Sequence, residues 1–483
     1  MAELVIYIFL FSVYSVILFY GNSTGLNIFL YNIPLLVFMI LILIRKNKVK
    51  NKYGLLFIVP IIILSLCCVL YNNIFTKFNI IFIPILFLFT YIYTIRPTFN
   101  ITEIICDLVL LIFKRFDLTF IRNFINIFTI KINKIIKIKK DSWKKIMSFL
   151  LVIPIIIFIL ILLITADTQF KNLFNFLFDS FDKFNYMDIF IKIILIVIEF
   201  ILMGSFINYL LFHFENENKP KTNTFKIENF TIKVLLLSLD FIYIIFDFIQ
   251  IRSLFFHHVG DGIVYSEYAR TGFFQLMFVS IINIIILLLT KKSKENNLIK
   301  HLSLLMVILT FIIICSSFYR MYLYDVAYGY TILRLLVYIT LITESIMLIP
   351  TIFYIYNSKV NIFKNYMIIS IFIYTIINIY SIDKVIAKNN IYRYDKTNKI
   401  DIVYLVSLSY DDVLELYNFY SNVKDEEIKN NIKDLVCDKY VFNNDSIYGF
   451  YIKKDDNFFE YNYNRNLAFK TIDKFNCSDN EKR

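Results

Sequence analysis

Residues 53–95 read YGLLFIVPIIILSLCCVLYNNIFTKFNIIFIPILFLFTYIYTI and contain a single charged side chain, Lys77. Two apolar runs, 53–71 and 76–95, lie on either side of a short polar segment that includes Asn72 and Asn73. A helix of about 20 apolar residues spans the roughly 30 Å of hydrocarbon in a bilayer. The stretch therefore predicts two transmembrane helices.

The same pattern extends over most of the chain, which has 483 residues, 58% of them apolar and 18% charged. A typical soluble domain is about 45–50% apolar and about 25% charged. Apolar runs predict spans at 4–21, 25–44, 53–71, 76–95, 146–166, 187–212, 230–251, 272–290, 299–319, 332–355 and 364–382. The predicted fold class is thus an all-α polytopic membrane protein of about eleven transmembrane helices, with a small C-terminal soluble region.

Composition divides the chain into four regions. Residues 1–100 carry the first transmembrane helices, and residues 101–145 form a basic segment whose apolar spacing predicts amphipathic helices on the membrane surface. Residues 146–383 form the transmembrane core. Residues 384–483 are charged and rich in Asn, which predicts a soluble region, and the alternation of aromatic and polar residues from Tyr440 to Phe469 suggests a short hairpin.

Lys and Arg cluster in alternate connections, at 45–52, 131–145, 219–226 and 291–294. The positive-inside rule assigns these connections to the cytoplasm. With eleven spans, the N-terminus of this multi-pass cell-membrane protein is predicted to be cytoplasmic and the C-terminal region extracytoplasmic. The same placement predicts that the formal charge of +12 meets anionic lipid headgroups rather than nucleic acid.

The predicted seventh span carries Lys233, Asp240 and Asp247, spaced seven apart and therefore within about 20° of one helical face. Charges inside a span are expensive, which makes them candidates for function. The favoured interpretation is a buried ion-pair network that locks this helix to its neighbours, and the alternative is a stripe that binds a cation or relays protons. Glu199 and Glu344, in the sixth and tenth spans, are interpreted as packing or pairing residues.

The connection between spans seven and eight holds His257, His258, Asp261, Glu267 and Arg270. Imidazole and carboxylate are ligands for zinc and other divalent ions, so the two histidines and Asp261 are the candidates for a metal. Their spacing matches no established motif, so no metal site is predicted and an ordered polar loop is the favoured interpretation. Sensing of pH by the histidines is a further alternative.

The connection between spans nine and ten adds polar residues at the same predicted outer surface, namely Arg320, Asp325, Tyr328 and Arg334. The acids Glu267 and Asp325 have several arginines of the two connections as potential partners, which would give a charged pocket at the outer mouth of spans seven to ten. Interfacial ion pairs and anchors are the favoured interpretation. A binding site for an anionic headgroup or solute is the alternative.

Three phrases in this part of the chain resemble a known family. Residues 265–276 read YSEYARTGFFQL, residues 320–334 read RMYLYDVAYGYTILR, and residues 383–393 read DKVIAKNNIYR. They are similar to the uncharacterised bacterial multi-pass membrane family catalogued as domain of unknown function four-one-seven-three, related to the four-one-five-three group. Tyr330 stands where leucine is expected, and Lys388 where arginine is expected.

The resemblance covers roughly residues 230–420 and implies a helical architecture in a bacterial cell membrane. It implies no activity, because the family has none assigned. The residues that it nominates as a functional cluster are Glu267, Arg270, Tyr328, Gly329 and Arg334.

No P-loop, GxSxG, HExxH or Rossmann glycine pattern occurs in the sequence, which argues against ATP-driven pumping by this chain alone. The predicted function is binding or transport of a small solute, ion or lipid through spans seven to ten, with Asp240 and Asp247 deeper along the path and no cofactor. The alternative is a membrane sensor or envelope assembly factor whose C-terminal region binds a protein partner. A third option is a lipid- or glycan-modifying enzyme that uses Glu267 and the histidines. Whether Cys437 and Cys477 form a disulfide is left open.

Overall fold

A computed structural model of the chain describes residues 2–45, 47–96, 104, 186–212, 228–252, 273–290, 296–357, 359–442 and 457–477. All regular structure in these ranges is helical. The chain divides into two compact units, the first made of residues 1–22 and 106–219 and the second of residues 23–105 and 220–483.

The helices are α1 (Ala2–Phe19), α2 (Leu26–Arg45), α3 (Ile58–Leu70), α4 (Ile74–Ile95), α5 (Tyr186–Phe212), α6 (Asn229–Gln250), α7 (Phe273–Thr290), α8 (Asn297–Tyr328), α9 (Ile332–Tyr356), α10 (Ile362–Ile379), α11 (Ile382–Thr397), α12 (Ile402–Ser407), α13 (Val413–Asn422), α14 (Glu426–Cys437) and α15 (Tyr463–Ile472). A 3₁₀ segment, Lys52–Phe57, runs directly into α3. Pro34, Pro84 and Pro350 lie inside helices. Pro60 lies in the first turn of α3, directly after the 3₁₀ segment.

Seven helical segments in the described ranges are long and apolar enough to cross a membrane: Leu26–Arg45, Lys52–Leu70, Ile74–Ile95, Phe273–Thr290, Asn297–Tyr328, Ile332–Tyr356 and Ile362–Ile379. The first predicted span corresponds to a shorter apolar helix, Ile6–Phe19. Helices α5 and α6 form where the sixth and seventh spans are predicted but are not among the seven. The basic segment 101–145 (apart from residue 104) and the fifth predicted span lie outside the described residues. A helical protein with several candidate spans is therefore confirmed, whereas the count of eleven is not.

In the first unit, α1 packs along α5. The rings of Phe9 and Phe200 meet edge to face with centroids 6.0 Å apart. The Ser15 hydroxyl donates a hydrogen bond to the Glu199 carboxylate. Glu199 therefore pairs within the helix contact, in agreement with its interpretation as a packing residue.

In the second unit, α2, α3, α4 and α10 pack together. The side chain of Asn73 accepts hydrogen bonds from the first turn of α4 and forms a capping box with Thr76, so the polar segment between the two apolar runs both ends α3 and starts α4. Between α4 and α10, the Asn79 amide donates to the Asn378 side-chain oxygen at 2.9 Å.

The remaining long helices, α6 to α9, form what we call the α6–α9 bundle, with α8 in contact with each of the other three. Leu236, Leu287, Met306 and Leu341 are fully buried at its centre. The Ser317 hydroxyl donates to the backbone oxygen of Phe273 at 3.0 Å, near the C-terminal end of α8 and the N-terminal end of α7. Helix α7 therefore runs antiparallel to α8.

The C-terminal helices α11 to α15 share a hydrophobic core in which Ile386, Val413, Ile432 and Val436 are fully buried. A disulfide joins Cys437 to Cys477. The hairpin expected between residues 440 and 469 is wrong for the described part of that range, where Phe458–Glu460 and Tyr463–Ile472 are helical. The apolar residues there pack at helical spacing into the core, which decides against strands.

The C-terminal helices rest on the ends of the long helices of the same unit. The backbone N–H of Leu26, at the start of α2, donates to the Tyr461 oxygen at 2.9 Å. The Asn462 amide donates to the backbone oxygens of Cys68 and Tyr71 at the end of α3. At the start of α9, the Ile332 N–H donates to the Tyr404 hydroxyl. The C-terminal region thus covers one end of this group of helices.

Candidate functional site

Helix α6 turns a polar stripe toward the interior of the α6–α9 bundle. Its buried residues are Ile232, Leu236, Asp240, Asp247 and Gln250. Residues three, four and seven apart share one face of a helix. The opposite face carries large apolar side chains that are exposed, as suits a helix that faces lipid. The register of α6 therefore places both aspartates inside the bundle.

Asp240 and Asp247 are each 3% exposed, and none of their carboxylate oxygens has a hydrogen-bond partner among the described residues. No ion pair within the described ranges joins either aspartate to a cationic side chain. The ion-pair network favoured from the sequence is therefore not seen there. Burying a neutral polar group without a hydrogen bond costs roughly 2–7 kcal/mol, and burying an ionised carboxylate without a partner costs more. Such residues inside a membrane bundle point to a proton or a ligand.

A second layer of polar groups joins three helices at the level between the two aspartates. The Tyr243 hydroxyl of α6 donates to the Asn283 side-chain oxygen of α7 at 2.8 Å. The Asn283 amide in turn donates to the Thr310 hydroxyl of α8 at 3.0 Å. Since Tyr243 is three and four residues from Asp240 and Asp247, this layer lies one helical turn from each of them.

Glu344 of α9 belongs to the same interior. The Ser280 hydroxyl of α7 donates to one of its carboxylate oxygens, and the other oxygen has no partner among the described residues. Ser280 lies one turn from Asn283, on the side of α7 that leads to Phe273. Because α7 is antiparallel to α8, Glu344 lies between the Tyr243 layer and the C-terminal end of α8.

Arg320 of α8 makes a further layer with α6. Its guanidinium donates to the Gln250 side-chain oxygen at 2.8 and 3.3 Å. This bond and the Tyr243–Asn283–Thr310 layer follow the same order along both helices, so α6 runs parallel to α8. The other pairing that the sequence allows for Arg320, with Glu267, involves a residue outside the described ranges.

The last layer lies at the end of α8. The Arg334 guanidinium is 3.7 Å from the Asp325 carboxylate, donates to the Gly329 backbone oxygen and lies 4.0 Å from the centre of the Tyr324 ring. Tyr328 is exposed, with its ring 5.0 Å from that of Tyr324. The predicted pairing of Asp325 with Arg334 is therefore present, and Tyr328 lies at the surface of this group.

These layers form what we call the polar column, made of Asp240, Tyr243, Asp247, Gln250, Ser280, Asn283, Thr310, Arg320, Asp325, Arg334 and Glu344. At about 1.5 Å per residue, Thr310 and Asp325 are about 22 Å apart along α8, and Asp240 lies about 5 Å beyond the Thr310 layer. The column therefore runs through most of the roughly 30 Å thickness of a hydrocarbon core.

Two phrases of the family resemblance meet at the C-terminal end of α8. Gly329 has φ +87° and ψ 175°, a conformation that is essentially confined to glycine. A Cβ at this position would lie 2.5 Å from the side-chain oxygen of Asn390. Arg393 donates to the backbone oxygens of Val326 and Ala327, which the end of a helix leaves without partners. Gly329, Asn390 and Arg393 therefore terminate α8 and attach α11 to it.

A second buried polar cluster lies in the C-terminal region. The Asp411 carboxylate accepts hydrogen bonds from the Asn72 backbone, the Asn73 amide, the Ser381 hydroxyl and the Asn464 amide, at 2.7–3.0 Å. These donors come from the start of α4, the α10–α11 junction and α15. Asp411 therefore holds the C-terminal helices on the long ones.

Asp412, the next residue, is fully buried, and the half-buried Lys439 lies near it. The Lys439 ammonium donates to the backbone oxygens of Val406 and Leu408, both at 2.6 Å, and to the Tyr440 hydroxyl at 2.8 Å. Burial lowers the pKa of Lys439 to about 8, although the attraction of Asp412 opposes the shift. Burial also raises the pKa of Asp412 well above its usual range. This cluster fixes the turn between α12 and α13.

Several predicted site residues, His257, His258, Asp261, Glu267 and Arg270, lie outside the described residues. Within the described ranges no three His, Cys, Asp or Glu side chains come together in a way that could hold a metal ion. The sequence analysis also missed neutral members of the column. Ser280 and Asn283, one turn apart in a predicted span without charged residues, were the signal that could have revealed them.

The family model described as "Domain of unknown function (DUF4153)" matches residues 58–419. This is the four-one-five-three group to which the sequence phrases are related. No curated protein and no solved structure matches the chain.

Proposed function

We propose that this chain, which belongs to the DUF4153 family of unknown function, moves an ion or a small solute along the polar column of the α6–α9 bundle. The single observation that carries this proposal is the pair Asp240 and Asp247. Both are buried, and none of their oxygens is bonded within the described residues.

A purely structural role fits these two residues less well than transport. Structural carboxylates in apolar surroundings are normally paired or hydrogen-bonded, because the unpaired charge is costly. The protein follows that rule at Asp411, which has four donors, and departs from it at Asp240 and Asp247. A group that must take up and release a ligand has to spend part of its cycle without a fixed partner.

We also propose that the end of the bundle covered by the C-terminal region faces the outside of a bacterial cell. The Cys437–Cys477 disulfide supports this orientation, because disulfides persist in oxidising compartments. The charge distribution of the connections supports it independently. A solute would then approach near Arg334 and Asp325 and meet Asp247 before Asp240.

The test is flux through the purified full-length chain in liposomes. With an internal pH dye or a panel of labelled cations and amino acids, the wild type is expected to move at least one species, and Asp240→Asn and Asp247→Asn are each expected to reduce that flux at least tenfold. Asp395→Asn, an exposed aspartate on α11, is the matched control and should leave the flux unchanged. Equal flux in all four proteins would refute the proposal.

A second candidate, an envelope sensor, is favoured by the way in which the disulfide-linked C-terminal helices cover the helix ends. A sensor should have a protein partner on the exposed surface of this cover. Photo-crosslinking residues introduced at Tyr392 and Phe458, both exposed, should then yield the same adduct mass in intact cells. Adducts with lipid alone at both positions would eliminate the sensor interpretation.

A further inference from the structure

We propose that the ion which the polar column carries is the proton, and that Glu344 is a proton acceptor in its path. This inference rests on the proposed transport function and assigns its substrate. The sequence analysis interpreted Glu344 as a packing or pairing residue, so the assignment comes from the position that the fold gives it.

The surroundings of Glu344 suit a carboxyl group that carries a proton for part of the cycle. Its side chain is 4% exposed, and the Ser280 hydroxyl is its one hydrogen-bond donor among the described residues. Helix α7, which supplies that donor, has no charged residue to compensate an ionised carboxylate. A neutral acid at this depth avoids the desolvation cost that a charge incurs.

The order of the layers connects Glu344 to the aspartates. Tyr243 lies one turn from both Asp240 and Asp247 and bonds to Asn283, and Ser280 follows one turn along α7. Glu344 therefore lies between the levels of Tyr243 and Asp247. Three carboxyl groups at successive levels, with hydroxyl and amide groups between them, form a series of sites along which protons can pass.

The neighbouring oxygens argue against a metal cation as the carried species. Hard cations such as Ca²⁺ and Mg²⁺ need about six or more oxygen ligands around them. In this bundle the neutral oxygens are engaged with one another, since Asn283 accepts from Tyr243 and the Thr310 hydroxyl donates to the Met306 backbone. A proton needs only one oxygen at each step.

The proton balance is simple. Each carboxylate takes up one proton from a hydronium ion or from the preceding carboxyl group, so one O–H bond forms at the acceptor while one breaks at the donor, and the reverse occurs when the proton is passed on. The other charged and titratable members of the polar column in the described ranges are Asp240, Tyr243, Asp247, Arg320, Asp325 and Arg334. The two arginines lie toward the proposed outer end together with Asp325, so the carboxyl groups of the inner part are Asp240, Asp247 and Glu344.

The experiment uses the full-length chain in liposomes that contain a pH dye, with a potential imposed by potassium and valinomycin. Wild-type protein should acidify the negative side equally well in sodium and in choline buffers, and Glu344→Gln should reduce the rate at least tenfold. Glu199→Gln is the matched control, because Glu199 also accepts from a serine, Ser15, but lies in the other unit. It should leave the rate unchanged.

The outcomes separate this inference from the function on which it rests. A flux that requires sodium and Asp240 but tolerates Glu344→Gln would overturn the proton assignment and leave transport standing. No flux of any ion or solute would overturn both. A second measurement covers misfolding of the variant: in the wild type, a hydrophobic carbodiimide, which reacts with protonated carboxyl groups, should modify Glu344 at pH 6. A peptide of α9 without modification would count against the proposal.

Discussion

Removal of the Cys437–Cys477 disulfide should loosen the C-terminal helices and leave the long helices intact. The bond joins residues 40 apart in sequence, the first at the end of α14 and the second just after α15. The double change Cys437→Ala and Cys477→Ala breaks it without adding a hydroxyl group to the core, where Cys437 is fully buried.

The expected loss follows from the size of the loop. Closing a loop of about 40 residues removes unfolded-state entropy worth about 4 kcal/mol at 25 °C. Each 1.4 kcal/mol corresponds to about a tenfold change in an equilibrium constant. Some amides of α14 and α15 exchange only when the C-terminal region opens. Their protection factors should therefore fall by roughly a thousandfold.

Hydrogen exchange with mass spectrometry on the full-length chain in nanodiscs measures this protection helix by helix. The amides of α8 serve as the internal reference, and reduction of the wild type should reproduce the effect of the double change. Cys315→Ala, which alters a free cysteine of α8, is the control. If the wild-type bond is intact by mass and the double change lowers protection less than fivefold, the loop-entropy argument is wrong.

Three further predictions concern how the C-terminal region is held. Gly329→Ala should lower the unfolding free energy by at least about 1–3 kcal/mol because of the backbone conformation, and by more because of the contact with Asn390. The assay is thermal unfolding, in which Gly21→Ala, at φ +73° with open space around it, should lower the midpoint less. Arg393→Gln should cost about 1–3 kcal/mol by the same assay, because it removes donors from two carbonyls at the end of α8. The raised pKa of Asp412 means that the folded state binds its proton more tightly than the unfolded state, so stability should decrease as the pH rises above about 4, and Asp412→Asn should flatten that dependence. A steeper decrease in the variant would contradict the assignment.

Some features of the candidate site follow from the sequence. The spacing of Asp240 and Asp247 on α6 is enough to place them on one face, and both are buried on that face. The charge pair Asp325–Arg334 was among the predicted pairings and is present. These predictions succeed because they depend on neighbours within one helix or one connection.

Other features depend on contacts between distant segments. The hydrogen bond between Arg320 and Gln250 joins residues 70 apart in the sequence, and the bond between Ser280 and Glu344 joins residues 64 apart. Gln250, a neutral residue, gives no signal in the sequence that predicts its bond to Arg320. The family phrase around Gly329 nominates this glycine for a functional cluster, and its contacts with Asn390 and Arg393 add a structural role at the end of α8.

The sequence by itself determined that this is a helical membrane protein, because apolar runs of about twenty residues leave the backbone no other way to satisfy its hydrogen bonds in a bilayer. It also determined which residues of α6 share a face, since a helix has a fixed periodicity. Only the tertiary structure decided which polar groups meet across helices and which carboxylates remain without partners. Those contacts depend on the register and direction of the packed helices. Because the apolar surfaces of these helices are similar, one helix alone does not specify its neighbours, and register and direction are fixed only in the assembled bundle.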